Sequence, residues 1–216
     1  MNRTLISGII VIILVAVGIG AYIDVQTQSE VLDVVEIREY EGKDLSSISD
    51  FRENSIKEPQ YVNETDYILS IVDLEGQIYE LTYDQVVSNF YSHKKVVDLH
   101  CVEGWSVTIL WEGVRIVDVL EGLGIDLAGE VMIFRAFDGY STSLPLEFLV
   151  DNEILLAYQM NNATLVPERG FPFQLVAESK YGYKWIKWIT EMEVSNDSDF
   201  LGFWESRGYS NEADIK

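Results

Sequence analysis

Cys101 is the single cysteine of this 216-residue chain. A thiolate is a strong nucleophile and a soft metal ligand. An unpaired cysteine is also often a small, inert core residue. Cys101 stands near the end of an apolar run, Val96 to Val102, that alternates like a strand and enters a turn. A period of two puts Val97, Leu99 and Cys101 on one face and Asp98 and His100 on the other. His100 is thus the sequence neighbour of Cys101 but points away from it, which argues against a catalytic pair. A cysteine-nucleophile hydrolase would need His93, the other histidine, within hydrogen-bond reach. One cysteine excludes an internal disulfide, multi-cysteine zinc and iron–sulfur sites and a Cys-x-x-Cys-His haem attachment. No zinc-type histidine spacing, P-loop, dinucleotide glycine motif or Gly-x-Ser-x-Gly elbow is present.

The second candidate is a basic cluster in an acidic chain. Lys180, Lys184 and Lys187 fall within eight residues, against a total of 15 basic and 36 acidic residues. They are either ordinary surface lysines around a Tyr/Trp core strand or an anion site for a phosphate or another oxyanion. Gly182 would let a backbone approach closely. The net charge of -21 argues against nucleic acid and against docking on an anionic membrane surface.

The elements that must position these residues are short. Tyr67 to Asp73 and Gln77 to Leu81 read as a hairpin around Glu75-Gly76. Thr82-Tyr83-Asp84-Gln85 fits a capping box and predicts a helix over 82–90. The Val96–Val102 strand follows, then a short amphipathic helix from Val114 to Leu123. Val131–Phe137 predicts a strand, Asp138-Gly139 a turn, and Tyr140–Leu144 the return. Leu146–Val150 suits one helical turn. Ile154–Met160, Phe173–Ala177 and Trp188–Val194 predict further strands. Many short strands and few helices indicate a β-rich α+β domain.

Ahead of this domain, Leu5 to Ile23 carries no charge and is long enough for a membrane-spanning helix. A cleaved signal peptide is the alternative, with Gly18-Ile19-Gly20-Ala21 as its small-residue site. Arg3 before the segment and acidic residues after it place the domain outside the cytoplasm. The expected organisation is an anchor or signal over residues 1–24, an acidic tether over 25–50, and one domain over 51–216. Val31–Tyr40 within the tether alternates weakly, as a short strand would.

Cys-Val-Glu-Gly-Trp-Ser at 101–106, followed by Trp111-Glu112-Gly113-Val114, resembles the molybdopterin-binding oxidoreductase domain of the sulfite oxidase superfamily. It resembles in particular the branch with the bacterial periplasmic methionine sulfoxide reductase catalytic subunit. Asp138 to Pro145, Gly170-Phe171-Pro172 and Lys180 to Lys187 resemble it too, in the expected order, over roughly residues 51–196. The resemblance implies a mixed, barrel-like β-rich fold holding one molybdenum–molybdopterin. Cys101 would supply the protein thiolate to molybdenum, which cycles between Mo(VI) and Mo(IV). Lys184 and Lys187, with the backbone around Trp185 and Ile186, would hold the cofactor phosphate. Arg169 and Gln174 stand where relatives place polar pterin contacts, and Asn54 and Ser55 match an N-terminal contacting loop. Ala136 falls where some relatives use a hydroxyl.

Sulfite oxidases carry basic residues just after the cysteine. Glu103, Gly104 and Trp105 occupy that stretch here, so the resemblance favours a sulfoxide-type reductase over a sulfite oxidase. The chain holds no haem motif, so electrons would be exchanged with a separate protein, the membrane being reached through Leu5–Ile23. No twin-arginine pair precedes that segment. The alternative is a pterin-binding or scaffold module without redox turnover.

Overall fold

The computed structural model describes residues 36–50 and 52–215, which fall within one compact unit. In chain order its strands begin with β1 (Glu39–Tyr40), β2 (Lys43–Asp44), β3 (Ile68–Val72), β4 (Ile78–Thr82), β5 (Ser92–His100) and β6 (Ser106–Arg115). They continue with β7 (Val131–Ala136), β8 (Ser141–Pro145), β9 (Leu155–Met160), β10 (Ala163–Thr164), β11 (Gln174–Val176) and β12 (Ile189–Ser195). Among the described residues three short α-helices interrupt them: α1 (Tyr83–Asn89), α2 (Ile116–Gly122) and α3 (Leu146–Asp151).

One sheet runs β10-β9-β6-β5, with β11 also on β9; the other runs β4-β3-β12-β7-β8. Only the β3–β12 pair is parallel, so the second sheet is mixed. Both sheets feed one core. Leu69, Ile71, Met132, Phe134 and Ile189 come from the mixed sheet, and Ile109, Trp111, Leu156 and Leu175 from the other. Burying each such side chain is worth about 1.5–3 kcal/mol. The expected β-rich α+β architecture is present.

Local signals act as their chemistry dictates. The Thr82 hydroxyl accepts from the Gln85 N–H, and the Gln85 side chain accepts from the Thr82 N–H, which starts α1 at Tyr83. The strand expected at Val96 begins earlier, at Ser92, and Val97 and Leu99 both face the core. No alternation marks Ser106–Gly113 and the spacing predicts a helix from Val114, whereas β6 runs from Ser106 through Arg115 and α2 starts at Ile116. Ile109, Leu110 and Trp111 are consecutive and all buried, so this strand lacks the alternation that marks one solvated face.

The region expected as a tether departs from expectation from residue 36 onward. Leu45 is buried, and β1 and β2 form a hairpin. The buried Asn161 gathers this segment: its amide nitrogen donates to Glu36 and to the Ser46 carbonyl. Its side-chain oxygen accepts from the Leu110 N–H. The domain therefore starts by residue 36 rather than 51. At the other end of the chain, residues 200–211 cover the free edge of β8. The Phe203 N–H donates to the Ser141 carbonyl, and the Ser143 hydroxyl to the Phe200 carbonyl. An open strand edge is thereby satisfied. No helix among the described residues is long and apolar enough to cross a membrane, and Leu5–Ile23 lies outside them.

Candidate active site

Cys101 sits at the tip of the β5–β6 hairpin. His100 pairs with Ser106, so Cys101 to Trp105 form the loop. The Cys101 N–H donates to the Trp105 carbonyl at 2.9 Å, and the Gly104 N–H to the Cys101 carbonyl at 3.0 Å. Gly104 closes the turn at φ +87°, a conformation that side chains resist. The β5–β6 hairpin thus presents the thiol on a hydrogen-bonded tip. Cys101 is half-buried, and the Asn54 amide nitrogen lies 3.7 Å from its sulfur. A bridge between His100 and Tyr181 brings the Lys180–Lys187 segment alongside.

The three lysines of that segment do not converge. Lys180 pairs with Asp214 and lies over the Phe148 ring. Lys184 is fully buried; its ammonium meets Glu205 at 2.6 Å, the Ser143 carbonyl at 2.9 Å and Asn211 Oδ1 at 2.9 Å. All three of its donors are used inside the protein. Lys187 turns the other way: it pairs with Glu53 at 2.6 Å and lies 4.4 Å over the Trp188 ring. Burial pulls the Lys184 and Lys187 ammonium groups below the usual lysine range, and their carboxylate partners oppose that shift.

The backbone between them is equally committed. The Trp185 N–H donates to the Gly182 carbonyl and the Ile186 N–H to the Lys184 carbonyl. The Trp185 indole packs against Trp111, and its N–H donates to the Lys180 carbonyl. The Lys184 ammonium and the Trp185 and Ile186 main-chain N–H groups thus each have a partner within the protein.

Lys187 instead joins Gly170, Gln174 and Arg169. Gln174 and Lys187 form a bridge. Gly170 has φ +92°, and a Cβ there would lie 2.9 Å from Lys187 Cγ, so only glycine fits. Arg169, also buried, donates from Nε to the Ile48 carbonyl at 3.1 Å. The segment expected as a tether thus helps to place a site residue. Burial lowers the Arg169 guanidinium from its ordinary value, while Glu53 raises it. Gln174 is 3% exposed, and its side-chain oxygen has no hydrogen-bond partner among the described residues. A buried acceptor left unpaired costs about 1–3 kcal/mol, which makes it a place for a ligand donor.

Residues 52–55 link the two halves. Glu53 reaches Lys187 and Asn54 reaches Cys101, so adjacent residues touch both ends of the site. Ser55 is exposed and its hydroxyl donates to the Lys57 carbonyl. Ala136 is buried at the end of β7 and presents no hydroxyl. Glu53 and Glu205 escaped the sequence reading. They lie far along the chain from the lysines they meet, and nothing local marks them among 36 acidic residues.

Cys101, Gln174, Arg169 and Lys187 thus offer one soft ligand, one unpaired acceptor and two cations. That donor set fits a phosphate-bearing pterin with a thiophilic metal. His93 does not join Cys101; its ring nitrogen lies 3.2 Å from Asp118.

Comparison with known proteins agrees. Residues 56–204 match the model of the oxidoreductase molybdopterin binding domain. The uncharacterized oxidoreductase YuiH of Bacillus subtilis is 33% identical over 157 residues, 72% of this chain and 78% of that protein. A protein of Azospira oryzae named "Putative protein-methionine-sulfoxide reductase subunit YedZ1" is 34% identical over 110 residues, 51% of this chain and 42% of its own length. Human mitochondrial sulfite oxidase is 32% identical over 127 residues, 54% of this chain and 23% of its own. This chain thus spans less than half of the latter two. The crystal structure of the sulfane dehydrogenase SoxCD from Paracoccus pantotrophus superposes with a TM-score of 0.59 at 19% identity, covering 64% of this chain and 40% of that one, and supports the fold. The chain is an enzyme of the molybdopterin-dependent oxidoreductase type, and it belongs to the oxidoreductase molybdopterin-binding domain family, within the sulfite oxidase superfamily.

Proposed function

We propose that the chain is a membrane-anchored, extracytoplasmic reductase of sulfoxide-type small molecules that takes electrons from a separate protein. The bound molybdenum–molybdopterin supplies two-electron oxygen-atom transfer. This chain's residues hold and orient it. Cys101 ligates molybdenum from the hairpin tip. Lys187 and Arg169 hold the phosphate, and the Gln174 oxygen accepts from the pterin. The observation that carries this reading is the unpaired, buried Gln174 oxygen beside Lys187, in one site with the half-buried thiol.

The turn that carries Cys101 favours a neutral substrate. It presents Glu103 and no cation, and Glu103 accepts from the Trp105 indole N–H at 3.1 Å. With a net charge of -21, the chain repels sulfite and tolerates a sulfoxide dipole. The likeness to the Azospira oryzae protein points the same way.

Protein from a cofactor-competent host should contain stoichiometric molybdenum and pterin, and Cys101→Ser should lose the metal. Dye-coupled turnover should proceed with methionine sulfoxide and not with sulfite. Wild-type protein without molybdenum would overturn the enzyme assignment to Cys101. Turnover with sulfite alone would overturn the substrate class. Fractionation of the full chain should find it in the membrane, and a soluble product would refute the anchor.

A further inference from the structure

Lys187, the cation assigned above to the cofactor phosphate, already holds an anion. Glu53 meets it at 2.6 Å, with side-chain exposures of only 14% for Lys187 and 25% for Glu53. The Trp188 ring backs the ammonium at 4.4 Å, and Gly170 gives it room. A carboxylate and a phosphate oxygen make the same charge-assisted hydrogen bond to an ammonium, so they compete for it.

Glu53 also lies outside any sheet ladder. Residues 52–55 form neither helix nor strand, and Arg52, Asn54 and Ser55 are exposed. The loop can leave without breaking a sheet ladder. Glu53 and Asn54 are consecutive, so a backbone movement that withdraws Glu53 from Lys187 also moves Asn54. Asn54 is the residue lying against the Cys101 sulfur.

We propose that the 52–55 loop is an internal competitor for the cofactor. In the unloaded chain Glu53 occupies the phosphate position on Lys187, and Asn54 covers the Cys101 thiol. Phosphate binding displaces Glu53 and, through the shared loop, uncovers the thiol for the metal. Glu53 thereby sets the affinity of loading, since a site open for only part of the time binds more weakly by that fraction. This inference rests on the cofactor assignment made above.

The test uses full-length protein from a pterin-deficient host, titrated with molybdopterin and followed by tryptophan quenching. Glu53→Gln should bind about tenfold tighter than wild type, the size of an ordinary coupling between two sites. Glu53→Asp, which keeps the charge, should stay closer to wild type. A second readout is the rate at which iodoacetamide alkylates Cys101, the sole thiol. Inorganic phosphate should accelerate it in wild type, whereas Glu53→Gln should start fast and ignore phosphate. Equal or weaker binding by Glu53→Gln, or an alkylation rate indifferent to phosphate in wild type, overturns the competitor. Failure of both proteins to bind molybdopterin overturns the cofactor assignment and the inference together.

Discussion

Replacing Lys184 by methionine separates a structural lysine from a phosphate-binding one. The family resemblance places Lys184 on the cofactor phosphate, whereas the structure places its ammonium on Glu205, the Ser143 carbonyl and Asn211. Both charged side chains have zero exposure. Methionine fills nearly the same volume, so the packing cost is small and the electrostatic cost dominates. Lys184→Met leaves the Glu205 carboxylate buried with the Thr142 hydroxyl as its remaining donor. Removing one partner of such a pair costs about 3–5 kcal/mol. Total stability is roughly 5–15 kcal/mol, so the loss is a large share of it. At about 2–4 °C per kcal/mol for a domain of this size, Tm should fall by roughly 6–20 °C. The double variant Lys184→Met/Glu205→Leu removes both buried charges. It should recover to within about 2 kcal/mol of wild type, the residue being the unpaired Thr142 hydroxyl and Ser143 carbonyl. Calorimetry and urea unfolding on protein from a pterin-deficient host avoid any stabilisation by bound cofactor. A Lys184→Met loss under about 1 kcal/mol, or a double variant as unstable as the single, would refute the structural role.

Two further predictions test the hairpin tip and the acid limb of stability. Gly104→Ala forces a side chain into a left-handed turn at φ +87°, at about 1–2 kcal/mol, and should lower both Tm and molybdenum occupancy; unchanged occupancy would mean that the turn does not position Cys101. Asp118 is held below its ordinary carboxyl value of 3.8, chiefly by hydrogen bonds from the Arg115 guanidinium at 2.7 and 2.8 Å. A depressed carboxyl stabilises the fold above its unfolded pKa and loses that contribution as pH falls through the folded value. Wild-type stability should therefore decline as pH drops below about 4, and Asp118→Asn should flatten that decline in acid titrations followed by circular dichroism.

Much of the frame was readable from local chemistry. The capping box at Thr82, the Asp138-Gly139 turn and the alternation through Leu99 each act within a few residues, so the sequence carries them whole. Where alternation fails, the reading failed with it. β6 is buried at Ile109, Leu110 and Trp111 in succession: Ile109 and Trp111 join the core, and Leu110 is buried on the opposite face. Residues 36–50 look polar enough for a tether, and it is distant residues, Asn161 and Arg169, that hold them on the domain.

Cys101 was marked by being single and by strand parity, properties of the sequence itself. The division of labour among Lys180, Lys184 and Lys187 was not. Three like residues on one short segment are equivalent until the chain returns with Asp214, Glu205 and Glu53. Which ammonium is sealed in the core and which faces the site depends on carboxylates brought together from both ends of the domain. Coulombic and desolvation energies depend on distance in space, and the sequence holds only distance along the chain.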